Sequence, residues 1–237
     1  MSDVALPLSA PRLDLVRAFR ALRALLRDKE DTARVFEIMR ALNGGATVRG
    51  YHRLLRTPEG STLAATRIEM ATILDDDATM AQFGPGTLGA HYFAWKRAEG
   101  LSAAGLAEVS RSVNGAPTPG DQNPYAWFGR RTRDIHDLWH ILSGYGRDGL
   151  GEASLVAFSF AQTGGLGWGF IALGAIVQAL KQREFGAIRA IFEGWRRGRH
   201  AAWLLGEDYR KVLGEDLEAA RRRLRIRPAR AYPVAAT

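Results

Sequence analysis

Two histidines and two carboxylates are spaced in this sequence as the ligands of one metal ion would be. His136 and His140 are four residues apart, and in a helix that spacing places both imidazoles on one face, one turn apart. Asp137 borders the same face, and Glu152 follows His140 by twelve residues. Residues 143–149 include three glycines, which allow the chain to reverse and return Glu152 toward the histidines. The pattern predicts a metal site in which Asp137 binds the ion or accepts a proton from bound water.

The sequence restricts the kind of metal site that can form. The chain has no cysteine, so the ligands must be nitrogen and oxygen atoms. Two histidines with two carboxylates suit zinc, ferrous iron or manganese. An i,i+4 histidine pair also occurs in helices as ordinary polar or core residues. The two carboxylates are therefore what favours metal binding over that alternative.

Arg133 is a candidate for a supporting role beside the metal. It lies one turn before Asp137 in the same predicted helix. It can form an ordinary exposed ion pair with Asp137. Alternatively, it can orient Asp137 or neutralise an anionic group of a substrate. His52, His91 and His200 have no partner pattern and are interpreted as structural or surface residues.

The composition of the 237 residues is typical of one globular domain. The chain has 33 basic and 25 acidic side chains, giving a net charge of +8, which attracts nucleic acid or anionic lipid. Nucleic-acid binding is disfavoured, because the basic residues are scattered and no zinc-finger, RNP or KH signature accompanies them. No apolar run is long enough to cross a bilayer.

Apolar residues recur at helical spacing almost throughout, which predicts an all-α fold. A basic amphipathic helix is expected over about 12–28, helices of the metal site over about 125–180, and C-terminal helices over about 184–226. In the first of these, the arginines flank an apolar stripe, which either lies in a membrane interface or packs on the protein's own core. The stripe consists of Leu13, Val16, Phe19, Leu22 and Leu26.

The helix after Glu152 is apolar nearly all round and is interrupted by four glycines within residues 164–169. Such a helix is usually central core. The glycines can also leave a groove for an apolar chain next to the metal site. We therefore expect a single domain, residues 1–237, that is an irregular helical bundle with a metal site between two helices and an apolar groove.

Three segments of the sequence resemble the coenzyme Q biosynthesis protein 4 family. RDIHDLWHILSGYGRDGLGEASLVAFSFAQTG resembles the family signature, which is H-D-x-x-H followed by eleven residues and E. GTLGAHYFAWKRAEGLS resembles the family's stretch upstream of that motif, and GRHAAWLLGEDYRKVLGEDLEAARRRLRI resembles its C-terminus. The resemblance covers about residues 10–227.

The resemblance implies an all-α protein at the membrane where ubiquinone is made, with a divalent ion, usually zinc, on His136, Asp137, His140 and Glu152. It implies a role in oxidative decarboxylation at ring carbon 1 of a polyprenylated 4-hydroxybenzoate, and also in organising the biosynthetic complex. As an enzyme, the protein would use Asp137 and Glu152 to move protons and Arg133 to hold the anion. The alternative is a scaffold that binds prenyl lipid without catalysis.

The expected partners are a polyprenylated quinone precursor, an anionic membrane surface, other quinone-biosynthesis proteins and a second copy of this chain in a homodimer. No nucleic acid is expected. The N-terminus lacks the features of a secretory signal. We therefore expect a cytoplasmic protein, peripheral on the inner membrane.

Overall fold

The protein is described by a computed structural model that covers residues 12–28, 31–100, 102–114 and 123–233. Within these residues every regular element is a helix, and the only strand-like pairing is an isolated bridge between Thr87 and Asp216. The predicted all-α class is confirmed. None of the described helices has both the length and the apolar character needed to cross a membrane. The predicted single domain extends into residues outside the described ranges and stays a prediction.

Fifteen α-helices and one short 3₁₀ helix are found among the described residues. In chain order they are α1 (Leu15–Leu25), α2 (Thr32–Leu42), α3 (Gly44–Leu54), α4 (Gly60–Thr66), α5 (Met70–Asp75), α6 (Asp77–Met80), α7 (Leu88–Ala98), α8 (Ala103–Asn114), α9 (Pro124–Asp134), α10 (His136–Ser143), α11 (Gly149–Thr163), α12 (Leu166–Gln182), α13 (Phe185–His200), the 3₁₀ helix Leu204–Gly206, α14 (Tyr209–Val212) and α15 (Leu217–Arg223).

The basic N-terminal helix α1 is shorter than predicted and has two apolar sides. Asp14 begins it by accepting a hydrogen bond from the Arg17 amide at 2.9 Å. One side packs on α2 through four buried residues, Ala18, Ala21, Leu22 and Leu25. The other side leaves Val16 and Phe19 each 62% exposed. The predicted stripe is therefore divided, since Leu22 belongs to the core and Phe19 to the surface.

The junction of α2 and α3 differs from expectation. The run Asn43-Gly44-Gly45 tolerates positive φ and predicts the end of a helix, followed by a loop with short helical pieces over 44–62. Asn43 instead has φ −94°, and α3 begins at Gly44. The Asn43 side chain instead accepts a hydrogen bond from the Gly167 amide at 2.7 Å. This contact ties the start of α12 to the α2–α3 junction, which no local pattern could predict.

The four candidate metal ligands lie on α10 and α11, and α9 and α12 flank these helices in the chain. The helices expected over about 125–180 begin with two short ones, α9 and α10, which are separated by a turn at Ile135. The predicted interruption before α12 is present, because Gly164 adopts φ +63° and ends α11. α11 lies close against α13, where a Cβ on Gly194 would come within 2.3 Å of the Ser154 carbonyl oxygen. Glycine is therefore needed there for the two backbones to approach.

The C-terminal region is more divided than the two helices expected over about 184–226. α13 ends at His200, and the rest of the region is one 3₁₀ turn and two short helices. Buried Leu204, Tyr209 and Leu224 pack these pieces into the main core. Tertiary packing rather than helical periodicity therefore fixes this region.

Candidate metal centre

Two helices and the loop between them bring the predicted metal ligands together. α10 carries His136, Asp137 and His140, and the first turn of α11 carries Glu152. Gly144 ends α10 at φ +75°, a left-handed conformation that costs glycine little. The chain then reverses, and Glu152 returns to the α10 side as predicted.

The histidines and Asp137 form a compact group of potential ligands. One side-chain donor atom from each of His136, Asp137 and His140 lies within 4.8 Å of the others. Glu152 is adjacent, with Oε1 3.5 Å from His140 Nε2. The structure thus brings all four predicted residues to one place, three of them in the compact group and the fourth beside it.

The orientation of His140 is fixed by the loop that follows α10. His140 Nδ1 lies 2.9 Å from the Tyr145 carbonyl oxygen. A carbonyl can only accept a hydrogen bond, so Nδ1 carries the proton and Nε2 keeps its lone pair. That lone pair is on the Glu152 side of the ring. A backbone carbonyl that holds the second nitrogen is the usual arrangement of a metal-binding histidine.

His136 has a nitrogen that the protein itself leaves unsatisfied. Its Nε2 atom is buried and finds no hydrogen-bond partner among the described residues. An unpaired buried polar atom is unfavourable by about 1–3 kcal/mol, and such atoms often mark the place of a water or an ion. Together with His140 Nε2 and two carboxylates, it makes a nitrogen and oxygen set that fits a divalent metal.

Burial sets the protonation of the group. It lowers the pKa of His136 to about 3, an effect to which His140 adds, and it lowers the pKa of His140 to about 4. Both imidazoles are thus neutral near pH 7, which is the form that binds metals. Burial raises the pKa of Asp137 to about 7, against the smaller opposing effect of Arg147. A carboxyl that titrates near neutral pH can both release and accept a proton.

Each histidine of the group rests on a tryptophan from another helix. The His136 ring is parallel to Trp168 of α12, with centroids 5.0 Å apart. The His140 ring stacks on Trp95 of α7 at 5.5 Å. Neither tryptophan could be assigned to the site from the sequence, because 45 residues separate Trp95 from His140 and 32 separate His136 from Trp168. Only the predicted neighbourhood of the glycine-rich segment pointed toward Trp168.

The arginines beside the site differ from expectation. Arg133 lies in the cavity wall, but its Nε and Nη2 atoms are 2.7 and 2.6 Å from Asp134 Oδ1. Its ion-pair partner is therefore Asp134 rather than Asp137. Arg147 also lines the cavity near Asp137 and was not predicted, although its position in the loop between His140 and Glu152 was a usable signal. His52, His91 and His200 are exposed, as expected.

A cavity of about 1110 Å³ opens from the metal group into the helical body. Its walls include residues of α2, α9, α11 and α12, among them Phe36, Met39, Phe128, Val156 and Ile171. Drug-sized ligands occupy pockets of about 300–1,000 Å³. The cavity is therefore large enough for a long apolar ligand whose polar end reaches the histidines.

Proteins with similar sequences are named for ubiquinone biosynthesis. A protein of Pyrenophora tritici-repentis, "Ubiquinone biosynthesis protein coq4, mitochondrial", is 28% identical over 176 residues, which are 73% of this chain and 57% of that protein. The corresponding protein of Phaeosphaeria nodorum is 29% identical over the same shares. The Danio rerio homologue is 33% identical over 47% of this chain and 38% of its own length. The chain spans a little over half the length of the first two relatives.

These names contradict one expectation. The protein was predicted to be cytoplasmic and peripheral on the inner membrane, and that prediction is wrong, because the matching relatives are named as mitochondrial proteins. The prediction relied on the missing secretory signal and on Asp3 and Asp14, which count against an arginine-rich transit peptide. The lack of a secretory signal does not bear on targeting signals that other import receptors recognise.

A solved structure supports the fold. A crystal structure of a Nostoc punctiforme protein, provisionally described as a ubiquinone biosynthesis protein, matches 90% of this chain and 98% of its own, with a TM-score of 0.66 and 22% identity. The family model described as "Coenzyme Q (ubiquinone) biosynthesis protein Coq4" matches residues 15–230. The match includes the four ligand candidates and every helix that positions them. The chain therefore belongs to the Coq4 family of coenzyme Q (ubiquinone) biosynthesis proteins.

Proposed function

We propose that the chain binds one divalent metal ion through His136, Asp137, His140 and Glu152. Zinc is the first choice, and ferrous iron and manganese are the alternatives. One observation carries this proposal: three donor atoms lie within 4.8 Å of one another, and one of the three residues, His136, has a buried Nε2 atom without a partner among the described residues. A metal ion supplies the missing partner.

We further propose that this site serves oxidative decarboxylation at ring carbon 1 of a polyprenylated 4-hydroxybenzoate-type precursor of ubiquinone. The bond from the ring to the carboxylate breaks, a bond from the ring to a hydroxyl oxygen forms, and carbon dioxide leaves. If the hydroxyl oxygen comes from water, the substrate loses two electrons in the reaction. We propose dioxygen as the electron acceptor, which is reduced to hydrogen peroxide. Family membership and the cavity beside the site support this choice of substrate.

The chain's own residues would bind and orient this substrate. When bound, the metal supplies positive charge that stabilises the anion developing as carbon dioxide leaves. Asp137 would either bind the ion as a carboxylate or, if the ion is held by the other residues, accept and return a proton, and Glu152 is the second candidate proton carrier. Arg133 faces the cavity and attracts the substrate carboxylate. Arg133 is already paired with Asp134, and Arg147, which also lines the cavity, is paired more loosely with Glu99 at 3.3 Å. We propose that the two arginines share the role of attracting the carboxylate.

A second candidate function is a non-catalytic scaffold that binds prenyl lipid and organises the quinone-biosynthesis complex. The size and apolar walls of the cavity support this scaffold function as well as they support decarboxylation. An anionic membrane and other quinone-biosynthesis proteins are proposed partners in both cases. Leu173, Leu180 and Phe185 are more than half exposed, and we propose that such surfaces contact a second copy of the chain.

Metal and lipid analysis combined with a turnover assay tests these proposals. Protein is purified without chelator, its metal content is measured by plasma mass spectrometry, and its extracted lipid by mass spectrometry. Turnover is followed as labelled carbon dioxide from a carboxyl-labelled farnesylated 4-hydroxybenzoate. His140→Ala removes a ligand, and His91→Ala is the matched control, because His91 is an exposed histidine outside the site.

The enzyme proposal expects about one metal per chain, carbon dioxide release that stops in His140→Ala, and unchanged behaviour in His91→Ala. Tight substrate binding without release of carbon dioxide would support the scaffold instead. Absence of metal from the wild-type protein, together with no uptake of added zinc, would overturn the metal site.

A further inference from the structure

The last described segment of the chain returns to the metal centre. We call residues 225–233 the C-terminal strap. It begins two residues after the end of α15, at Arg225, whose φ of +56° turns the chain away from the helix direction. The strap then runs along α13 and ends beside residues 144–148, which form the loop between α10 and α11. We call this loop the site loop.

Two side chains of α13 hold the strap in place. Arg197 is 6% exposed, and its Nε donates to the Arg227 carbonyl at 2.8 Å while its Nη2 donates to the Ser143 carbonyl at 2.7 Å. Glu193, one turn earlier, accepts hydrogen bonds from the amides of Arg230 and Ala231 at 3.0 and 2.6 Å. Arg197 therefore connects the strap directly to the end of the helix that carries the histidines.

Tyr232 connects the strap to the site loop. Its hydroxyl accepts a hydrogen bond from the Gly146 amide at 3.0 Å and donates one to the Asp148 carboxylate. Its ring meets the Tyr145 ring edge-on, with centroids 5.3 Å apart. A Cβ on Gly146 would lie 2.7 Å from the Tyr232 hydroxyl. Glycine at 146 is what allows this close approach.

The residues that Tyr232 touches are those that orient two of the four metal ligands. Tyr145 supplies the carbonyl that holds His140 Nδ1. Asp148 begins α11 by accepting from the amides of Leu150 and Gly151, both at 3.1 Å, and its own carbonyl accepts from the Glu152 amide at 2.9 Å. Tyr232 thus acts on His140 through Tyr145 and on Glu152 through Asp148.

We propose that Tyr232 is a positioning residue of the metal centre: through the strap it fixes the site loop, and so sets the direction of His140 Nε2 and the place of Glu152. The inference rests on the proposed metal binding. It does not place Tyr232 in contact with the metal or the substrate. Instead, it makes the C-terminal segment part of the apparatus that determines metal affinity.

The coupling must be reciprocal. If an anchored strap increases metal affinity by some factor, the bound metal stabilises the anchored strap by the same factor. Zinc should therefore protect the amides of Gly146, Arg230 and Ala231 from hydrogen exchange in the wild-type protein. A strap that only covers the core would gain no specific protection.

Tyr232→Phe tests the proposal, because it removes only the hydroxyl. Glu193→Ala is a second variant, which loosens the strap without touching the site loop. Tyr209→Phe is the matched control. The Tyr209 hydroxyl is also buried and accepts from Trp139 Nε1 of α10 at 2.7 Å, so it tests whether any lost hydrogen bond at that helix suffices.

Three quantities are measured on each variant: zinc affinity by chelator competition, the visible absorption spectrum of the cobalt-substituted protein, and the His140 tautomer from imidazole nitrogen chemical shifts of the metal-free protein. Removing a partner of a metal ligand typically weakens metal binding about 10–100-fold. We expect about tenfold weaker zinc binding in Tyr232→Phe, an altered cobalt spectrum and a mixture of His140 tautomers. Glu193→Ala should shift the same three quantities by less, and Tyr209→Phe should change none of them.

Unchanged zinc affinity and an unchanged His140 tautomer in Tyr232→Phe would overturn the inference. If the wild-type protein bound no zinc, the proposed function would fail separately, and the His140 tautomer alone would decide the role of Tyr232. If Tyr232→Phe did not fold, the exchange experiment on the wild-type protein would decide it. Equal exchange of the three amides with and without zinc would then exclude the coupling.

Discussion

His136 and Trp168 lie face to face, with ring centroids 5.0 Å apart and planes inclined by 12°. The contact joins the first residue of α10 to the glycine-rich start of α12. At Gly167, a Cβ would lie 2.8 Å from the Met39 sulfur and 2.9 Å from Asn43 Oδ1, so a larger residue there would displace these two side chains. The glycines thus allow α12 to bring an indole over one of the proposed metal ligands.

Replacing Trp168 should therefore disturb the metal centre without removing a ligand. We expect Trp168→Ala to weaken zinc binding about tenfold, because His136 loses the surface that restricts its ring. Trp168→Phe should retain most of the affinity. Chelator competition measures both. The control is Trp203→Ala, since Trp203 donates to the Gln162 carbonyl near the end of α11 and does not line the cavity. Equal losses of zinc affinity in Trp168→Ala and Trp203→Ala would refute a specific role.

His140→Ala should remove the metal and also cost stability. The side chain is 4% exposed and stacked on Trp95. Truncation of a buried side chain leaves a cavity, so we expect a loss of about 1–3 kcal/mol in the free energy of unfolding, measured in metal-free buffer by urea titration. The His91→Ala control should cost less than about 0.5 kcal/mol. A fully unfolded His140→Ala protein would instead indicate that the histidine pair is mainly structural.

We expect a side chain at position 151 to clash at the start of α11. A Cβ there would come within 2.2 Å of the Gly146 carbonyl oxygen, a backbone atom that cannot move aside cheaply. Gly151→Ala should lower the free energy of unfolding by about 1–3 kcal/mol. Gly186→Ala is the matched control, because nothing lies within 4 Å of its Cβ position in α13. That change should stabilise the protein by about 0.4–1 kcal/mol, and similar results for both variants would contradict the packing argument.

We expect the Asp208 carboxylate to make the free energy of unfolding depend on pH. Hydrogen bonding from Arg210 lowers the pKa of this carboxyl in the folded protein. A lowered folded pKa stabilises the protein above the unfolded value of about 3.9, and this contribution is lost as the pH falls through the folded pKa. Asp208→Asn should therefore be less stable than wild type at pH 7, and the difference should shrink below about pH 4. Glu108→Gln, which breaks an exposed ion pair, should show little difference at either pH.

The predictions from sequence succeeded where spacing along one helix carries the information. The separation of His136 from His140 specifies a shared face, and the glycines after Ser143 allow Glu152 to return. They failed where a contact joins distant segments. Tyr232 meets Gly146 across 86 residues, and Asn43 meets Gly167 across 124. Such pairs leave no periodic signal, because each depends on how whole helices pack.

Helical periodicity alone also could not predict which apolar residues of α1 are buried. The sequence places one apolar stripe on the helix, but the neighbouring α2 covers only part of it. Leu22 is 7% exposed, whereas Phe19 is 62% exposed. Which part faces outward depends on the crossing of the two helices, and that is a tertiary property. The outward part, with its arginines, remains the proposed membrane contact.

The last prediction concerns this outward side of α1. Leu15, Val16 and Phe19 are exposed, Arg20 and Arg23 near them are exposed as well, and Arg17 is half-buried. Helices of this kind lie in the interface of a bilayer, where each basic residue near an anionic surface contributes about 1 kcal/mol. We expect the protein to sediment with anionic vesicles at low salt and to be released as salt screens the charges.

Substitutions separate the charge on α1 from the charge of the whole protein. Changing Arg17, Arg20 and Arg23 to glutamine should weaken vesicle binding strongly. A control with Arg56, Arg97 and Arg222 changed to glutamine removes the same charge from exposed positions outside α1, and it should weaken binding much less. Phe19→Ser should reduce the binding that remains at high salt, since that part depends on the apolar side chains. Equal effects of the two triple variants would show that the net charge of +8, rather than α1, attracts the membrane.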